Sequence, residues 1–437
     1  MDWTPDDVRT ALLARREIAL VDLREEHPFA QAHPLWAVQL SPLRLEADAP
    51  WRLPRRDVDL VLYDDGEGLV DAAAATLARM GYTRVHRLAG GLDGWRRRGG
   101  ELFRDVNVPS KAFGELVEHE RGTPSLPAEA VQAMLDRGER VAVLDARRFD
   151  EFRTMSIPGG TSVPGAELLL HVRDLAPDPA TPVIVNCAGR TRSLIGAQSL
   201  VNAGIPNPVH ALRNGTIGWL LAGFTLEHGQ TRRAAPAGPA SAQATAAARQ
   251  AAQALADRAG AQRIDAEQLA RWQADPTRTL YCWDVRQPEA YEAGHLPAFG
   301  HAPGGQLVQE TDVFAAVRGA RIVLADGGGD DAGVRAPMTA HWLAQMGWDV
   351  AWLDGVPAAA HTATGPWRPH GQAVLPTPHA QRYRRPYEGT DAPRAAMQAY
   401  LDWEFGLVAQ LARDGTHGFR VLQGCAQSAP WTTPTAA

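Results

Sequence analysis

Cysteine is scarce in this chain: only three occur among 437 residues, at positions 187, 282 and 425. They are too few for a disulfide scaffold and too widely spaced for a cysteine-cluster metal site. One possibility is left open, a single reactive thiol. Because few unpaired cysteines suit a compartment that keeps thiols reduced, we expect a cytoplasmic protein.

Long apolar runs and an excess of basic residues are also lacking. No run of 18 apolar residues occurs, so no membrane span is expected, and the acidic first residues do not resemble a signal peptide. The formal charge of −6 disfavours nucleic acid or an anionic membrane as a partner. A composition of 45% hydrophobic and 22% charged residues is typical of a globular protein, here of about three domains.

A pattern repeats three times along the chain. Each copy has a short apolar strand ending in Asp-x-Arg, a second apolar strand, a helix and a glycine-containing turn. The residue after the second strand follows the Asp of Asp-x-Arg by 42 positions in every copy (22 to 64, 145 to 187 and 284 to 326). These residues are Asp64, Cys187 and Asp326. The alternation of strands and helices predicts an α/β fold with parallel sheets flanked by helices.

The repeats predict domains at 1–105, 125–230 and 262–358. The alanine-rich segment 234–260 is expected to be a linker with a flexible start and a helix from Ser241 to Arg258. A core helix of the third domain is the alternative. Residues 359–437 resemble the opening of a fourth repeat that stops, with a helix from 397 to 411, a strand at 419–422 and a loose end.

The chemistry is concentrated in one loop of the second repeat. It lies between an apolar strand and a helix, where open α/β sheets bind ligands. Its residues are Cys187, Ala188, Gly189, Arg190, Thr191, Arg192 and Ser193. Loop amides, the helix dipole and the two arginines favour negative charge, so we expect the pKa of Cys187 to lie below about 8.5. The same groups would bind an oxyanion, which indicates transfer of a group from an anionic donor to the thiolate.

Individual roles follow from the residue types. Arg192 is expected to direct its guanidinium at the anion, the alternative being that it holds the loop through a carboxylate. Arg190 is expected to help bind the anionic donor, the alternative being that it faces solvent, where it would meet a charged acceptor. Gly189 suits a tight turn and Ser193 the N-cap of the following helix. Asp145 and Arg147 are expected to support the loop, because the same pair recurs in the two copies without Cys.

The Asp-x-Arg pairs, the loop from Cys187 to Ser193 and the Gly-x-x-Gly-Trp sequence from Gly215 to Trp219 resemble the rhodanese (sulfurtransferase) family. The chain resembles tandem rhodanese-like proteins in which the second repeat is active. This resemblance implies that Cys187 attacks the outer sulfur of an anionic donor such as thiosulfate and keeps it as a persulfide. The sulfur then passes to cyanide, a thiol or a protein. The resemblance implies no metal and no organic cofactor.

Some details leave alternatives open. The loop has six residues from Cys187 to Arg192, as in rhodaneses, whereas the related phosphatases and arsenate reductases have seven. A Cys-dependent phosphatase or arsenate reductase is therefore less favoured, and a sulfur-relay or binding scaffold is a third possibility. The loop matches neither the thiosulfate form nor the mercaptopyruvate form that is common in the family. Ser156 stands where the other copies have His33 and His295, which we expect to be structural.

The other cysteines and the two aspartates carry less chemistry. Cys282 lies in an apolar strand and is expected to be a core residue, and Cys425 is incidental. Asp64 and Asp326 cannot carry a persulfide and would repel an anion, so the first and third domains are expected to be inactive and to pack around the second. Their acidic, glycine-rich loops could hold a metal, although solvated surface loops are favoured.

Overall fold

A computed structural model describes residues 2–234, 241–369, 382–386, 388, 391 and 393–424. Within this part of the chain there are three five-stranded sheets, and every strand pairing in them is parallel. Each sheet has the same spatial order: its first, fifth, fourth, second and third strand along the chain. The expectation of an α/β fold with parallel sheets flanked by helices is confirmed.

The first sheet belongs to the N-terminal domain. Its strands are β1 (Asp2–Trp3), β2 (Ile18–Asp22), β3 (Ala37–Gln39), β4 (Asp59–Tyr63) and β5 (Val85–Leu88). Its helices are α1 (Pro5–Leu13), α2 (Glu26–Gln31), α3 (Leu45–Arg52), α4 (Val70–Arg79), α5 (Gly91–Arg97) and α6 (Val108–Arg121). Every residue of β2 and β4 is buried, as expected for apolar strands covered on both faces.

The second sheet holds the cysteine loop. Its strands are β6 (Ser125–Leu126), β7 (Ala142–Asp145), β8 (Thr161–Ser162), β9 (Val183–Asn186) and β10 (Val209–Leu212). The helices around it are α7 (Ala128–Asp136), α8 (Phe149–Thr154), α9 (Leu168–Leu175), α10 (Thr191–Ala203) and α11 (Gly215–Leu221). The central strand β9 lies between β7 and β10, so its carboxyl end opens at the middle of the sheet edge.

The segment after the second sheet is a packed helix rather than a free spacer. Helix α12 (Ala242–Ala259) begins at Ser241, whose side chain accepts a hydrogen bond from the Ala244 amide, and ends at Gly260. Its buried face joins the core of the second domain and also contacts the third, where Arg249 donates to the carbonyl of Ala332. The alternative of a core helix is therefore closer to the structure than a linker, and the proposed flexible start, 235–240, lies outside the described residues.

The third sheet repeats the topology of the other two. Its strands are β11 (Gln262–Ile264), β12 (Leu280–Asp284), β13 (Gly300–His301), β14 (Arg321–Ala325) and β15 (Asp349–Leu353). Its helices are α13 (Ala266–Gln273), α14 (Pro288–Ala293), α15 (Gly304–Gln309), α16 (Thr311–Phe314) and α17 (Arg335–Gln345). The described residues also include two single-turn 3₁₀ helices, one in the second domain at Gly165–Glu167 and one after the third sheet at Ala358–Ala360.

The C-terminal segment does not begin a fourth sheet. Its described residues form the helices α18 (Arg394–Phe405) and α19 (Leu407–Asp414), and residues 419–422 make no strand. Instead the amide of Arg420 donates to the backbone carbonyl of Gln345 at the end of α17, and the amide of Leu422 donates to the side chain of the same residue. The segment is thus bound to a helix end, where no sheet edge offers it a pairing strand.

Candidate active site

Cys187 is the first residue after β9 and lies at the carboxyl edge of the second sheet. Its side chain is almost fully enclosed, with 2% of the residue exposed. The sulfur lies 3.4 Å from the Ser193 hydroxyl, which donates in turn to the carbonyl of Arg190 at 2.8 Å. Helix α10 begins at Thr191, so Ser193 is in its first turn rather than at the N-cap, which is Arg190. The loop thus places polar groups of α10 against the sulfur.

The expectation of a low pKa for Cys187 is not met in this closed structure. Burial raises the pKa of the thiol above its ordinary value, and the positive charge of Arg192 and the hydrogen bonds from Ser193 only partly oppose this. The sequence shows the two arginines of the loop, but not the carboxylates that pair with them. Desolvation of the thiolate therefore outweighs its stabilisation.

Arg190 is buried and directed at the first domain, so the alternative that it faces solvent is wrong. Its Nε and Nη2 donate to the two carboxylate oxygens of Glu115 on α6 at 2.7 and 2.9 Å. Glu118 accepts a further bond, and Nη1 donates to Asn214 at 3.0 Å. The guanidinium carbon also lies 4.3 Å from the ring centroid of Phe405. Arg190 thereby joins the loop to helices outside the second domain.

Arg192 directs its guanidinium at a carboxylate on the neighbouring helix α8. Its Nη1 and Nη2 donate to the two oxygens of Glu151 at 2.7 and 2.8 Å. Burial alone would raise the pKa of Glu151, but Arg192 and Arg147 hold it well below its usual range. The structure therefore matches the alternative of an arginine that holds a carboxylate.

A cleft of about 250 Å³ lies beside this pair. All three domains and the C-terminal segment contribute to its walls, which include Asn107, Arg147, Glu151, Arg192, Gln306, Gln309 and Arg385. Because Arg192 lies both in the cysteine loop and in the cleft wall, the cleft borders the loop.

Asp145 and Arg147 form a buried, bidentate ion pair under the loop. Arg147 Nε and Nη2 donate to Asp145 at 2.9 and 2.8 Å, and Nη2 also donates to the carbonyl of Met155. Asn186, next to Cys187, donates to the same carboxylate at 2.8 Å. Equivalent pairs occur at Asp22–Arg24 and Asp284–Arg286. Their recurrence in all three domains fits a supporting role.

The aspartates at the cysteine position are not solvated. Asp64 accepts hydrogen bonds from the amides of Gly66 and Leu69, and it is 8% exposed. Asp326 is 3% exposed and accepts amide bonds from residues of its own loop and of α17, namely Gly333, Val334 and Ala336. These two carboxylates therefore satisfy the loop amides from within, while the rest of each loop reaches the surface, with 65–68 and 329–330 exposed, as expected of solvated loops. No group of three or more candidate metal ligands occurs among the described residues.

The remaining candidates are structural. His33 is buried, stacks on Phe29 and contacts the carbonyls of Pro34 and Asp105. His295 stacks on Tyr291 with ring centroids 3.7 Å apart. Burial raises the pKa of Cys282, which lies in β12, to about 12. Cys425 lies outside the described residues.

Helix α18 contributes two residues that the sequence does not identify. Gly189 has no left-handed backbone; instead, a Cβ placed on it would lie 3.2 Å from a Tyr400 ring carbon and 3.3 Å from Glu404 Oε2. Glu404 is 0% exposed, and Tyr400 donates to its Oε1 at 2.9 Å. No motif or periodicity signals that this helix contacts a loop more than 200 residues earlier in the chain.

Comparison with known proteins is consistent with this geometry. A model of the rhodanese-like domain family matches residues 4–98 and 127–222. The solved structure of a thiosulfate sulfurtransferase from Pseudomonas aeruginosa is 52% identical and superposes with a TM-score of 0.92, covering 97% of this chain and all of the other. The Alr3790 protein from Anabaena is 22% identical, with a TM-score of 0.23, and covers 24% of this chain and 84% of its own. Wild-type EanB is 14% identical, with a TM-score of 0.26, over 84% of this chain and 98% of its own.

Among curated proteins no match was found. Within the described residues, no helix combines the length and the apolar character that crossing a bilayer requires.

Proposed function

Since this chain belongs to the rhodanese family and is a sulfurtransferase of the rhodanese type, we propose that Cys187 is the nucleophile that carries the transferred sulfur as a persulfide. The Cys187 thiolate attacks the outer sulfur of thiosulfate, the sulfur–sulfur bond of the donor breaks, and sulfite leaves with the electron pair. Cyanide, a thiol or a protein thiol then attacks the terminal sulfur of the persulfide and regenerates the thiolate. Both steps need only this thiol and the two substrates.

The observation that carries the proposal is the position of Cys187. It lies at the carboxyl end of the central strand β9, and its thiol donates to the Ser193 hydroxyl in the first turn of α10 at 3.4 Å. Of the three equivalent positions it alone has a sulfur; the other two have the carboxylates of Asp64 and Asp326. The first and third domains are accordingly proposed to be inactive as sulfurtransferases.

Donor binding is assigned to the loop and to Arg192. The backbone amides of 188–193 lie at the start of α10, where the helix dipole favours an anion. Thiosulfate entering from the cleft would take the place of Glu151 on the Arg192 guanidinium, which presents two parallel donors. Thiosulfate is the donor in the name of the 52% identical relative, which supports its choice here. We propose that the reaction takes place in the cytoplasm.

Mass spectrometry of the intact protein tests site, count and chemistry together. After treatment with thiosulfate and removal of excess donor, the wild type should gain one sulfur, about 32 Da, and lose it on addition of cyanide as thiocyanate forms. Cys187→Ser should gain none, and the matched control Cys282→Ser should behave like the wild type. A persulfide on Cys187→Ser, or two added sulfurs on the wild type, would contradict the assignment.

Phosphate release from an aryl phosphate measures the alternative reaction on the same samples. A rate that rivals sulfur transfer would favour the phosphatase reading. A wild type that takes up no sulfur would favour a binding scaffold.

A further inference from the structure

The carboxyl group of Glu404 lies against the cysteine loop although it belongs to a helix far outside the second domain. One oxygen, Oε1, accepts the hydrogen bond from Tyr400. The other, Oε2, is buried without a hydrogen-bond partner among the described residues. It lies 3.3 Å from the position of a Cβ on Gly189, two residues after Cys187. A polar atom in this situation is satisfied more easily by carrying a proton than by carrying charge.

The charged groups around Glu404 do not supply the missing partner. On α6, Lys111 donates to Asp105 at 2.6 Å and Glu115 is held by Arg190. On the loop, Arg190 binds Glu115 and Glu118, Arg192 binds Glu151, and Cys187 is the third titratable group. Burial and the negative charge of Glu115 raise the pKa of Glu404 to about 8, with Lys111 opposing. Glu404 is therefore neutral at pH 7 and ionises in the mildly alkaline range.

No side chain separates the Glu404 carboxyl group from the cysteine loop, because Gly189 has only a hydrogen atom where other residues have a Cβ. An ionised Glu404 faces the loop directly, and its negative charge raises the pKa of Cys187. Two like charges in a poorly solvated site disfavour each other, so each group must lower the tendency of the other to ionise.

We propose that Glu404 is a positioning residue for the nucleophile: in its neutral form it packs against the loop and permits the Cys187 thiolate, and in its ionised form it opposes that thiolate. The proposal rests on the proposed function only in taking Cys187 as the nucleophile. Below the Glu404 transition the thiolate forms without the opposing charge of Glu404, whereas above it the two ionisations compete. The pair then titrates with shared apparent values rather than with one value for each residue.

Alkylation of Cys187 by iodoacetamide tests this on the full chain, with the site of modification resolved by mass spectrometry. The probe reports the thiolate and needs no sulfur donor. The ratio of the Glu404→Gln rate to the wild-type rate should be near one at pH 6.5. It should rise to about fivefold by pH 9 and approach about tenfold once Glu404 is fully ionised, the change that a coupling of one pKa unit produces.

Glu118→Gln is the matched control, because Glu118 also contacts Arg190 but lies on the partly exposed side of α6. Its ratio to the wild type should not change with pH. Tyr400→Phe is a second probe: it removes the donor to Oε1, which favours the ionised form, and should move the onset of the Glu404 effect to higher pH. If Glu404→Gln folds poorly, Tyr400→Phe still tests the proposal, because it keeps the Glu404 carboxyl group.

A Glu404→Gln ratio that is the same at pH 6.5 and pH 9 would overturn the proposal, because a merely structural role gives an offset independent of pH. The outcome is separate from that of the persulfide experiment. Cys187 can fail to accept sulfur and still show the coupling, and it can accept sulfur while Glu404 has no influence on it.

Discussion

Replacing Arg190 with Met tests whether this residue holds the loop or serves the substrate. The guanidinium is 3% exposed and gives Glu115 two hydrogen bonds, and the Glu115 side chain is 4% exposed. Methionine retains much of the apolar volume but leaves this carboxylate buried and without its cation. Breaking a buried pair by removing one partner typically costs about 3–5 kcal/mol.

The cost of protonating Glu115 gives an independent estimate of the stability lost in Arg190→Met. Burial already raises the pKa of Glu115 against the opposing effect of Arg190, so without Arg190 this group is expected to become neutral. Protonating a carboxyl group with an ordinary pKa of about 4.3 costs about 4 kcal/mol at pH 7 but about 1 kcal/mol at pH 5. Glu118 adds little, because its side chain is 28% exposed and can be hydrated. We therefore expect a loss of about 3–4 kcal/mol at pH 7 that shrinks toward pH 5.

Equilibrium urea unfolding at the two pH values measures this loss. The double variant Arg190→Met/Glu115→Gln should recover most of the stability at pH 7, because a neutral amide replaces the stranded charge. If Arg190→Met unfolds within about 0.5 kcal/mol of the wild type, as surface substitutions do, and changes only the KM for an acceptor, the buried-pair reasoning is refuted.

Two further predictions concern the third domain. Asp326→Ala removes the acceptor of the Gly333, Val334 and Ala336 amides and should lower the free energy of unfolding by about 1–3 kcal/mol. The number of sulfurs bound per chain should not change. A second bound sulfur, or an unchanged free energy of unfolding in urea, would contradict this prediction. Burial alone would raise the pKa of Glu167, but Arg335 of the third domain and His171 lower this pKa to about 2. The stability that the Glu167 carboxylate contributes is therefore present above about pH 4.5 and is lost as the pH falls toward 2. The free energy of unfolding should therefore depend less on pH between 5 and 2.5 in Glu167→Gln than in the wild type, and equal slopes would exclude this linkage.

The repeated motifs predict much of the fold. Asp-x-Arg marks the end of the second strand of each sheet, and the residue 42 positions later follows the fourth strand in all three. Local patterns suffice here because apolar strands of parallel sheets are buried along their length and read as continuous runs. The position of Cys187 at the sheet edge follows from the same reasoning.

The contacts between domains could not be read from the sequence. Nothing in the order of residues pairs Arg190 with Glu115, or places Glu404 against Gly189, since these contacts depend on how separate units dock. The two arginines of the loop are predicted correctly, but the low pKa expected for Cys187 is not, because burial of the thiol outweighs the effect of Arg192. The C-terminal strand failed for a similar reason: the side chain and carbonyl of Gln345 compete successfully for its backbone groups.

Helix α12 lies in the core of the second domain while its other contacts lie in the third. Unfolding of either domain would expose apolar surface on the other, so part of their stability is expected to be shared. A domain that carries Asp326 in place of a nucleophile is thereby coupled energetically to the one that carries Cys187. This coupling does not depend on what chemistry the third domain has, and removal of that domain would expose the buried face of α12.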